Sequence, residues 1–245
     1  MTQKKKTSTA GKKIWTGIAY LAAFGSGVLC ERLGFFAFMA ESWEDVLFFL
    51  WQHIQLVFVG SMFAVLIGVP IGIILTRQFM RPFRKLLLAL LGILQTIPSL
   101  AVLAMVMTWV GIGAKTAIIG LVVYSLLPII RNTVAGIDNI NPTLIDAARG
   151  MGMTPVQTLF KVELPNALYI ILTGIRTSTV ILVGTAALSF LVGGGGLGDL
   201  IFTGIAMVDP GIMLGGAIPT AILAIAMNWF LGRVEFYLLS PGLRQ

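Results

Sequence analysis

Charged side chains are scarce in this sequence: 11% of its 245 residues are charged, 57% are hydrophobic, and the mean hydropathy is +0.95. Soluble domains carry about 25% charged residues, so this chain has too few charges to cover a surface in water. We therefore expect the lipid bilayer to be the solvent for most of the protein. At about 20 apolar residues per helical span, the length allows roughly five to seven spans.

Cysteine and histidine are almost absent as well. With one cysteine, Cys30, and one histidine, His53, the chain cannot form an internal disulfide or a Cys/His zinc cluster. We interpret His53 as a polar packing residue rather than a catalytic base, because no partner for acid–base chemistry accompanies it. These absences predict a protein that is not an enzyme and that has no catalytic site, metal or cofactor of its own.

A nucleotide-binding motif is missing too. Residues 193–198 are rich in glycine, but no Lys-Ser/Thr pair follows them, so they do not form a P-loop. We interpret this segment as a flexible link or an external gate between two spans. Any ATP that powers the protein must therefore be bound by a separate chain.

Long apolar runs without the period-2 alternation of barrel strands predict helices. We therefore predict an all-α fold, a polytopic membrane helical bundle of about six transmembrane helices. The run before Cys30 would be a signal peptide in an alternative interpretation, but it lacks an A-x-A-like cleavage site, which favours a retained span. The predicted spans are 14–30, 46–76, 86–110, 116–136, 167–192 and 213–239.

Positive charges are distributed unevenly among the connections. With a cytoplasmic N-terminus, the cytoplasmic segments hold fourteen Lys and Arg residues and the external segments hold two, Arg32 and Lys115. Because Lys and Arg near the spans stay on the cytoplasmic side, both termini are predicted to be cytoplasmic. Residues 1–13 then form a basic cytoplasmic tail, and residues 14–245 form the transmembrane domain. The same bias explains the net charge of +7 without nucleic acid as a partner.

The third predicted span contains a proline among polar side chains. Pro98 removes a backbone donor and tends to kink the helix, and Gln95, Thr96 and Ser99 lie beside it. These polar groups would line a translocation path, or they would satisfy the carbonyl group that the proline frees. The sequence leaves both interpretations open.

The longest connection, residues 137–165, carries the signals of two short helices. Asn141-Pro142 and Thr154-Pro155 each combine an N-cap side chain with a proline that suits the first helical turn. Gly152 would end the first helix, and Pro165 would close the second helix and begin the next span.

One side of the first short helix is apolar. Leu144, then Ala147 or Ala148, then Met151 fall at i, i+3 or i+4, and i+7, beside the polar Asp146. A helix on the membrane surface would be richer in Lys, Arg and bulky apolar residues. The apolar stripe therefore faces either its own bundle or a groove on another protein, and the residues alone do not decide between these two.

The spacing of residues in this segment is specific. Asp146-Ala147-Ala148 is followed after three residues by Gly152, and after nine more by Val162-x-Leu164-Pro165. This pattern resembles the EAA loop of bacterial binding-protein-dependent ABC permeases, which reads Glu-Ala-Ala, three residues, Gly, nine residues, Ile-x-Leu-Pro. The exchanges of Glu for Asp and Ile for Val keep the chemistry.

The resemblance implies the MetI-like fold of type I ABC importer permeases, in a bacterial cytoplasmic (inner) membrane. It makes residues 137–165 a coupling loop that docks in a groove of an ATPase subunit, which binds the ATP and Mg. Two such ATPase subunits, a second permease (a copy or a sister chain) and an extracytoplasmic substrate-binding protein are the implied partners. The implied coupling residues are Asp146, Ala147, Ala148, Arg149, Gly152, Leu164 and Pro165.

Runs at 95–100, 127–133, 174–177 and 193–199 are similar to one branch of that family, the osmoprotectant uptake permeases. This similarity implies glycine betaine, choline or carnitine as the solute, with methionine or another small amino-acid-like solute as the alternative. A stand-alone secondary transporter is disfavoured, because all ten Asp and Glu residues lie outside the predicted spans or at their edges. Arg176, inside a span, is expected to snorkel to the cytoplasmic surface or to brace the coupling loop.

Overall fold

The computed structural model describes Thr16 and residues 24–239, and it contains no strand in that part of the chain. The predicted all-α fold is therefore confirmed. Residues 24–32 are helical. The further helices are α1 (Phe35–Glu41), α2 (Trp43–Thr76), α3 (Arg81–Thr96), α4 (Ser99–Val110), α5 (Ala114–Asp138), α6 (Pro142–Gly150), α7 (Pro155–Thr158), α8 (Leu164–Ala186), α9 (Gly198–Met207) and α10 (Pro210–Leu238). Shorter 3-10 turns occupy Gln78–Met80 and Ala187–Val192, and a π-helical turn occupies Leu159–Glu163.

Four helices of the described residues are long and apolar enough to cross a membrane: α2, α5, the helical stretch Pro155–Val192, and α10. The bent pair α3 and α4 would form a fifth crossing. The first predicted span, 14–30, falls largely outside the described residues. The four long helices match four of the other predicted spans, 46–76, 116–136, 167–192 and 213–239.

The third predicted span is broken rather than continuous. Where the sequence predicted one helix over 86–110, α3 and α4 meet at an angle of 99°. The break lies at Ile97, whose backbone is extended with φ −72° and ψ 130°, and at Pro98, with φ −53° and ψ 134°. The proline ring disfavours a helical conformation at the residue before it. Pro98 therefore ends α3 instead of merely kinking it.

Pro165, by contrast, does not end a helix. The prediction that it closes the second short helix is wrong, because α7 continues through the π-helical turn Leu159–Glu163 directly into α8. A proline inside a helix lacks a donor and crowds the carbonyl group four residues before it. A π-helical turn widens the helix locally and relieves this conflict.

The centre of the bundle is built from α2, α5 and α8. Glycines let α2 approach α5 closely: a Cβ at Gly72 would lie 2.5 Å from Cβ of Thr133, and one at Gly68 would lie 2.9 Å from Cγ2 of Ile129. Residue numbers rise in the same direction along both helices at these two contacts, so α2 and α5 are parallel. Helix α8 is antiparallel to both. The main buried cluster consists of Leu56, Val57, Leu103, Ala117, Leu121, Leu182, Val183, Ala186 and Val192.

The bundle has two different ends. We name the end where α2 and α5 finish and α8 begins the coupling end, and the opposite end, which carries residues 193–198, the glycine-loop end. The sequence analysis did not predict the short helix α9 that follows this loop, because its ten residues are too few to give a span signal.

The glycine loop is packed against α2 and is not a flexible link. The Gly196 amide donates to Oε1 of Gln52 at 3.1 Å, and the Leu197 amide donates to Nδ1 of His53 at 3.3 Å. His53 is fully buried, and its Nε2 donates to the Val183 carbonyl at 3.0 Å. As predicted, His53 is a packing residue: it joins α2, α8 and the loop.

Candidate coupling surface

Both short helices of the coupling loop begin with the predicted caps. The Asn141 side chain accepts a hydrogen bond from the Thr143 amide at 3.0 Å, which satisfies a free donor at the start of α6. Thr154 and Gln157 form a reciprocal capping box at the start of α7. These caps hold the loop in a defined shape without help from another subunit.

Helix α6 packs one edge on the bundle and leaves the adjacent face uncovered. Ala148 is completely buried, and Ile145 packs on the cluster around Ile140 and Ala167 at the foot of α8. Ala147, by contrast, is exposed. The structure therefore separates the two alanines, which the sequence treated as interchangeable members of one stripe: Ala148 anchors the helix and Ala147 faces outward.

The uncovered face forms an apolar patch that extends beyond α6. We call this patch the coupling surface; besides Ala147, its side chains are large, apolar and exposed, with Met151 69%, Val156 65% and Leu144 43% accessible. The prediction left open whether the stripe faces its own bundle or another protein. Of the predicted stripe, Ala148 faces the bundle, whereas Leu144, Ala147 and Met151 are exposed. The members of the coupling surface are Leu144, Ala147, Met151, Val156 and Phe160.

Asp146 and Arg149 lie beside the coupling surface and are both three-quarters exposed, with Arg149 Nη1 3.9 Å from Asp146 Oδ1. An exposed pair at this separation contributes little to stability. Both charged groups are therefore exposed at the edge of the coupling surface.

Gly152 turns the chain between the two short helices. Its φ of +76° lies in the left-handed region, and no atom lies within 4 Å of the place where a Cβ would be. Glycine is therefore needed there for backbone conformation and not for space. Leu164 packs on the cluster at the foot of α8, while Pro165 is exposed.

Two ion pairs attach the coupling end to the bundle, and the sequence analysis missed both. Arg77, just after α2, makes a bidentate contact with Glu163, whose side chain is 12% exposed. Arg84 of α3 makes a second bidentate contact with Asp138 at the end of α5. The sequence signal for the first pair was an acidic side chain, Glu163, directly before the start of an apolar helix, since a carboxylate that becomes buried needs a partner.

The Arg77 guanidinium donates hydrogen bonds to three different groups. Its Nε donates to the Ile73 carbonyl at 3.2 Å, and its Nη2 donates to Oγ1 of Thr76 at 3.0 Å as well as to Glu163. We call the contact between Arg77 and Glu163 the clasp. Because Glu163 lies in the π-helical turn directly after α7, the clasp ties the coupling loop to the end of α2.

The four residues of the predicted translocation path lie at the break between α3 and α4. Gln95 Nε2 donates to the Tyr124 carbonyl at 3.3 Å, and Thr96 Oγ1 donates to the Ile93 carbonyl at 2.7 Å. Pro98 is exposed, and Ser99, the first residue of α4, is half-buried. Tyr124 lies fourteen residues before the end of α5, about 21 Å along the helix, so the structure does not bring these residues to the coupling surface.

Comparison with known proteins identifies the family. Residues 68–239 match the family described as binding-protein-dependent transport system inner membrane component. The chain belongs to this family. It is 39% identical over 208 residues to the carnitine transport permease protein OpuCB of Listeria monocytogenes, covering 85% of this chain and 94% of the relative. It is 40% identical over 208 residues to the choline transport system permease protein OpuBB of Bacillus subtilis, with 85% and 95% covered.

The solved structures agree with this assignment. An inward-facing conformation of the MetNI methionine ABC transporter matches with a TM-score of 0.73 at 26% identity, over 80% of this chain and 96% of that chain. The predicted MetI-like permease fold is therefore confirmed. The protein is a multi-pass membrane permease of a transport system.

Inside the permease, Arg176 connects α8 to α10. Its Nε donates to Oδ1 of Asn228 at 2.7 Å, and its Nη1 lies 3.5 Å from Oε2 of Glu235. Its guanidinium lies over Gly232, where a Cβ would be 3.1 Å from Nη1. The expectation that Arg176 braces the coupling loop is wrong, because these partners belong to α10. Asn228, Gly232 and Glu235 share one face of α10 at i, i+4 and i+7.

Proposed function

We propose that this permease forms the membrane path of an ATP-driven importer for small quaternary-ammonium solutes. The observation that carries the proposal is the coupling surface: a well-capped loop that is anchored on one edge by Ala148 and Ile145 and exposes large apolar side chains on the other. An exposed apolar patch of this kind marks a docking site for a partner.

The partner of the coupling surface is a cytoplasmic ATPase subunit that binds the ATP and Mg, in two copies per transporter. Ala147 enters the docking groove, Gly152 allows the turn after it, and Asp146 and Arg149 make polar contacts at the rim. Closure of the ATPases on ATP displaces the coupling loop, and the clasp passes this motion to α2. The family and the arrangement of these residues support this assignment.

A second permease, either a copy or a sister chain, completes the path, and an extracytoplasmic binding protein delivers the solute. Both termini lie in the cytoplasm of a bacterial cell, which the charge distribution supports. The break at Pro98, with Gln95, Thr96 and Ser99, forms part of the path wall.

The relatives named for carnitine and choline transport support glycine betaine, choline and carnitine as the solutes. Methionine is the competing solute, because the matching solved structure is a methionine transporter. Uptake of radiolabelled glycine betaine, choline, carnitine and methionine by cells that produce the complete transporter separates the two. We expect quaternary-ammonium uptake that methionine does not compete with; preferential methionine uptake would overturn the solute assignment.

Docking of the ATPase is tested by crosslinking. Photo-crosslinking residues placed at Leu144 and Met151 should capture the ATPase subunit in membranes of transporting cells, whereas the same residue at Ile112, which is exposed near the glycine-loop end, should not. If crosslinkers on the coupling surface capture no ATPase in a complex that still transports, the coupling assignment is wrong.

A further inference from the structure

A charged side chain in the middle of a membrane span requires an explanation, because its insertion costs about 2.5–3.5 kcal/mol on translocon scales. Arg176 is such a residue, at the thirteenth position of α8. Glu235, whose side chain is 10% exposed, supplies the opposite charge at 3.5 Å. The cluster is therefore close to neutral overall, yet its two charges are separated and oriented.

Arg176 has hydrogen-bonding capacity left over. A guanidinium carries five N–H donors, and groups in the described part of the chain take two of them, one by Asn228 and one by Glu235. The side chain remains about one-third exposed. The remaining donors face a region where a ligand or water must satisfy them.

That region is a cavity of about 350 Å³ beside α8. Its wall is mostly apolar, and polar groups are confined to the guanidinium, one amide and two hydroxyl groups. A small organic solute of mixed polarity fits such a site better than a bare ion does, because most of the wall cannot hydrogen-bond. The cavity is lined by Thr173, Arg176, Thr177, Val180, Ile181 and Asn228.

We propose that this cavity is a transient binding site for the carboxylate of a zwitterionic solute on its way through the permease. Arg176 pairs with the carboxylate through its free donors, since guanidinium and carboxylate match in a bidentate geometry. Val180 and Ile181 contact the methylated end of the solute. The inference rests on the proposed function, because it takes the solute class from there.

The arrangement distinguishes solutes by their carboxylate. Glycine betaine and carnitine carry one, and they leave the charge of the site unchanged because they are neutral overall. Choline has the same methylated ammonium group without the carboxylate, and it brings a net positive charge towards Arg176. Asn228 holds the guanidinium in place from the side at 2.7 Å, and Gly232 gives it room on α10.

A cysteine placed in the cavity tests the proposal directly. The chain has one cysteine, so Cys30→Ser gives a background without thiols, and Thr177→Cys then places a thiol on the cavity wall. In the complete transporter, purified with its partner subunits, we expect glycine betaine or carnitine at about ten times its Kd to slow the reaction of this thiol with N-ethylmaleimide about tenfold, because roughly one site in ten then remains free. At the same concentration, solutes without the charge-assisted contact bind at least about tenfold more weakly and occupy fewer sites. Choline and tetramethylammonium should slow it less than about twofold.

Ile112→Cys in the same background is the control, because Ile112 is 80% exposed near the glycine-loop end and does not line the cavity. Its labelling should not respond to any solute. In the double variant Arg176→Gln, Glu235→Gln, which removes both charges together, the protection of Thr177→Cys should disappear.

Equal protection by choline, or no protection by any solute while glycine betaine uptake persists, overturns the carboxylate site and leaves the proposed function intact. Persistent protection in the double variant also overturns it, because binding would not depend on Arg176. If the unmodified transporter takes up none of these solutes, it is the proposed function that fails.

Discussion

The two ends of the permease differ in the contacts that their loops and side chains make. At the glycine-loop end, the side chains of a fully buried histidine and a half-buried glutamine form hydrogen bonds with backbone groups of the loop, so these two side chains find their partners within the chain. At the coupling end, polar and charged contacts attach the loop to the bundle, while large apolar side chains stay uncovered. The loop at the glycine-loop end is therefore fixed by hydrogen bonds within the chain, whereas the loop at the coupling end is fixed by ion pairs and presents the coupling surface.

This difference predicts different consequences of mutation. Substitutions at the glycine-loop end should lower the stability of the permease itself. Substitutions on the coupling surface should leave the folded permease intact and abolish solute transport. The residues that attach the coupling loop lie between these two cases, because they affect both.

The largest effect is expected for Ala147→Glu. A carboxylate on the exposed apolar face would be buried without a partner in the docked complex, which costs far more than the complex can tolerate. We expect uptake to fall to background and the ATPase subunit to be lost on purification, while the amount of permease in the membrane is unchanged. Membrane quantification, co-purification and solute uptake measure the three quantities.

Gln157→Glu is the matched control for this change. Gln157 is exposed on the same loop, and glutamate also forms a capping box at this position. It therefore adds the same charge away from the coupling surface, and we expect uptake close to that of the unmodified permease. Full transport by Ala147→Glu would show that the exposed face does not dock.

At the glycine-loop end, His53→Ala should have the next largest effect. It removes a buried ring and leaves the Val183 carbonyl and the Leu197 amide without their partner, at a cost of about 3 kcal/mol. Gln52→Ala removes one hydrogen bond from a half-buried position and should cost about 1 kcal/mol. Thermal unfolding of the purified permease in detergent compares them, and an equal loss in both variants would contradict the role given to His53.

The clasp should show an intermediate effect on stability together with an effect on transport. Glu163→Gln leaves Arg77 without its carboxylate, and since Arg77 is 27% exposed we expect a loss of about 2 kcal/mol, below the range for a fully buried pair. If the clasp passes motion from the loop to α2, ATP hydrolysis per transported solute should also rise. A role confined to stability would leave that ratio unchanged.

The second ion pair of the coupling end provides the comparison. Asp138→Asn breaks the contact with Arg84, but Asp138 is 40% exposed, so the loss should be about 0.2–1 kcal/mol with no change in the ratio. Exchanging the charges of the clasp, as Arg77→Glu with Glu163→Arg, should recover part of both effects. If ATP hydrolysis per transported solute changes equally when either ion pair is broken, the clasp has no special role in transmitting motion.

Features of the molecule that depend on neighbouring residues could be predicted from the sequence. The caps at Asn141 and Thr154, the left-handed turn at Gly152 and the long apolar helices all follow from chemistry within a few residues of chain. Exposure of one apolar edge of α6 could not be predicted, because it depends on which edge the foot of α8 covers.

Features that depend on distant residues were missed. Arg77 and Glu163 are 86 residues apart in the chain, and the local sequence around either one does not identify the other. The break at Pro98 and the continuous helix through Pro165 show a second limit. Both prolines have polar neighbours in the sequence, Gln95 and Ser99 for one, Glu163 and Asn166 for the other. The outcome depends on whether a π-helical turn relieves the conflict, which packing and not composition decides.

Small effects of opposite sign on stability are expected for two glycines that lie two residues apart in the sequence. Gly150 is the last residue of α6 and Gly152 has a φ of +76°, while both have open space where a Cβ would be. Gly150→Ala should therefore raise stability slightly, by about 0.5 kcal/mol, because alanine favours the helix. Gly152→Ala should lower it by about 1 kcal/mol, because alanine is strained in the left-handed region. Thermal unfolding of the two variants side by side measures the difference; if both change in the same direction, the turn at Gly152 does not hold the conformation that aims the coupling surface outward.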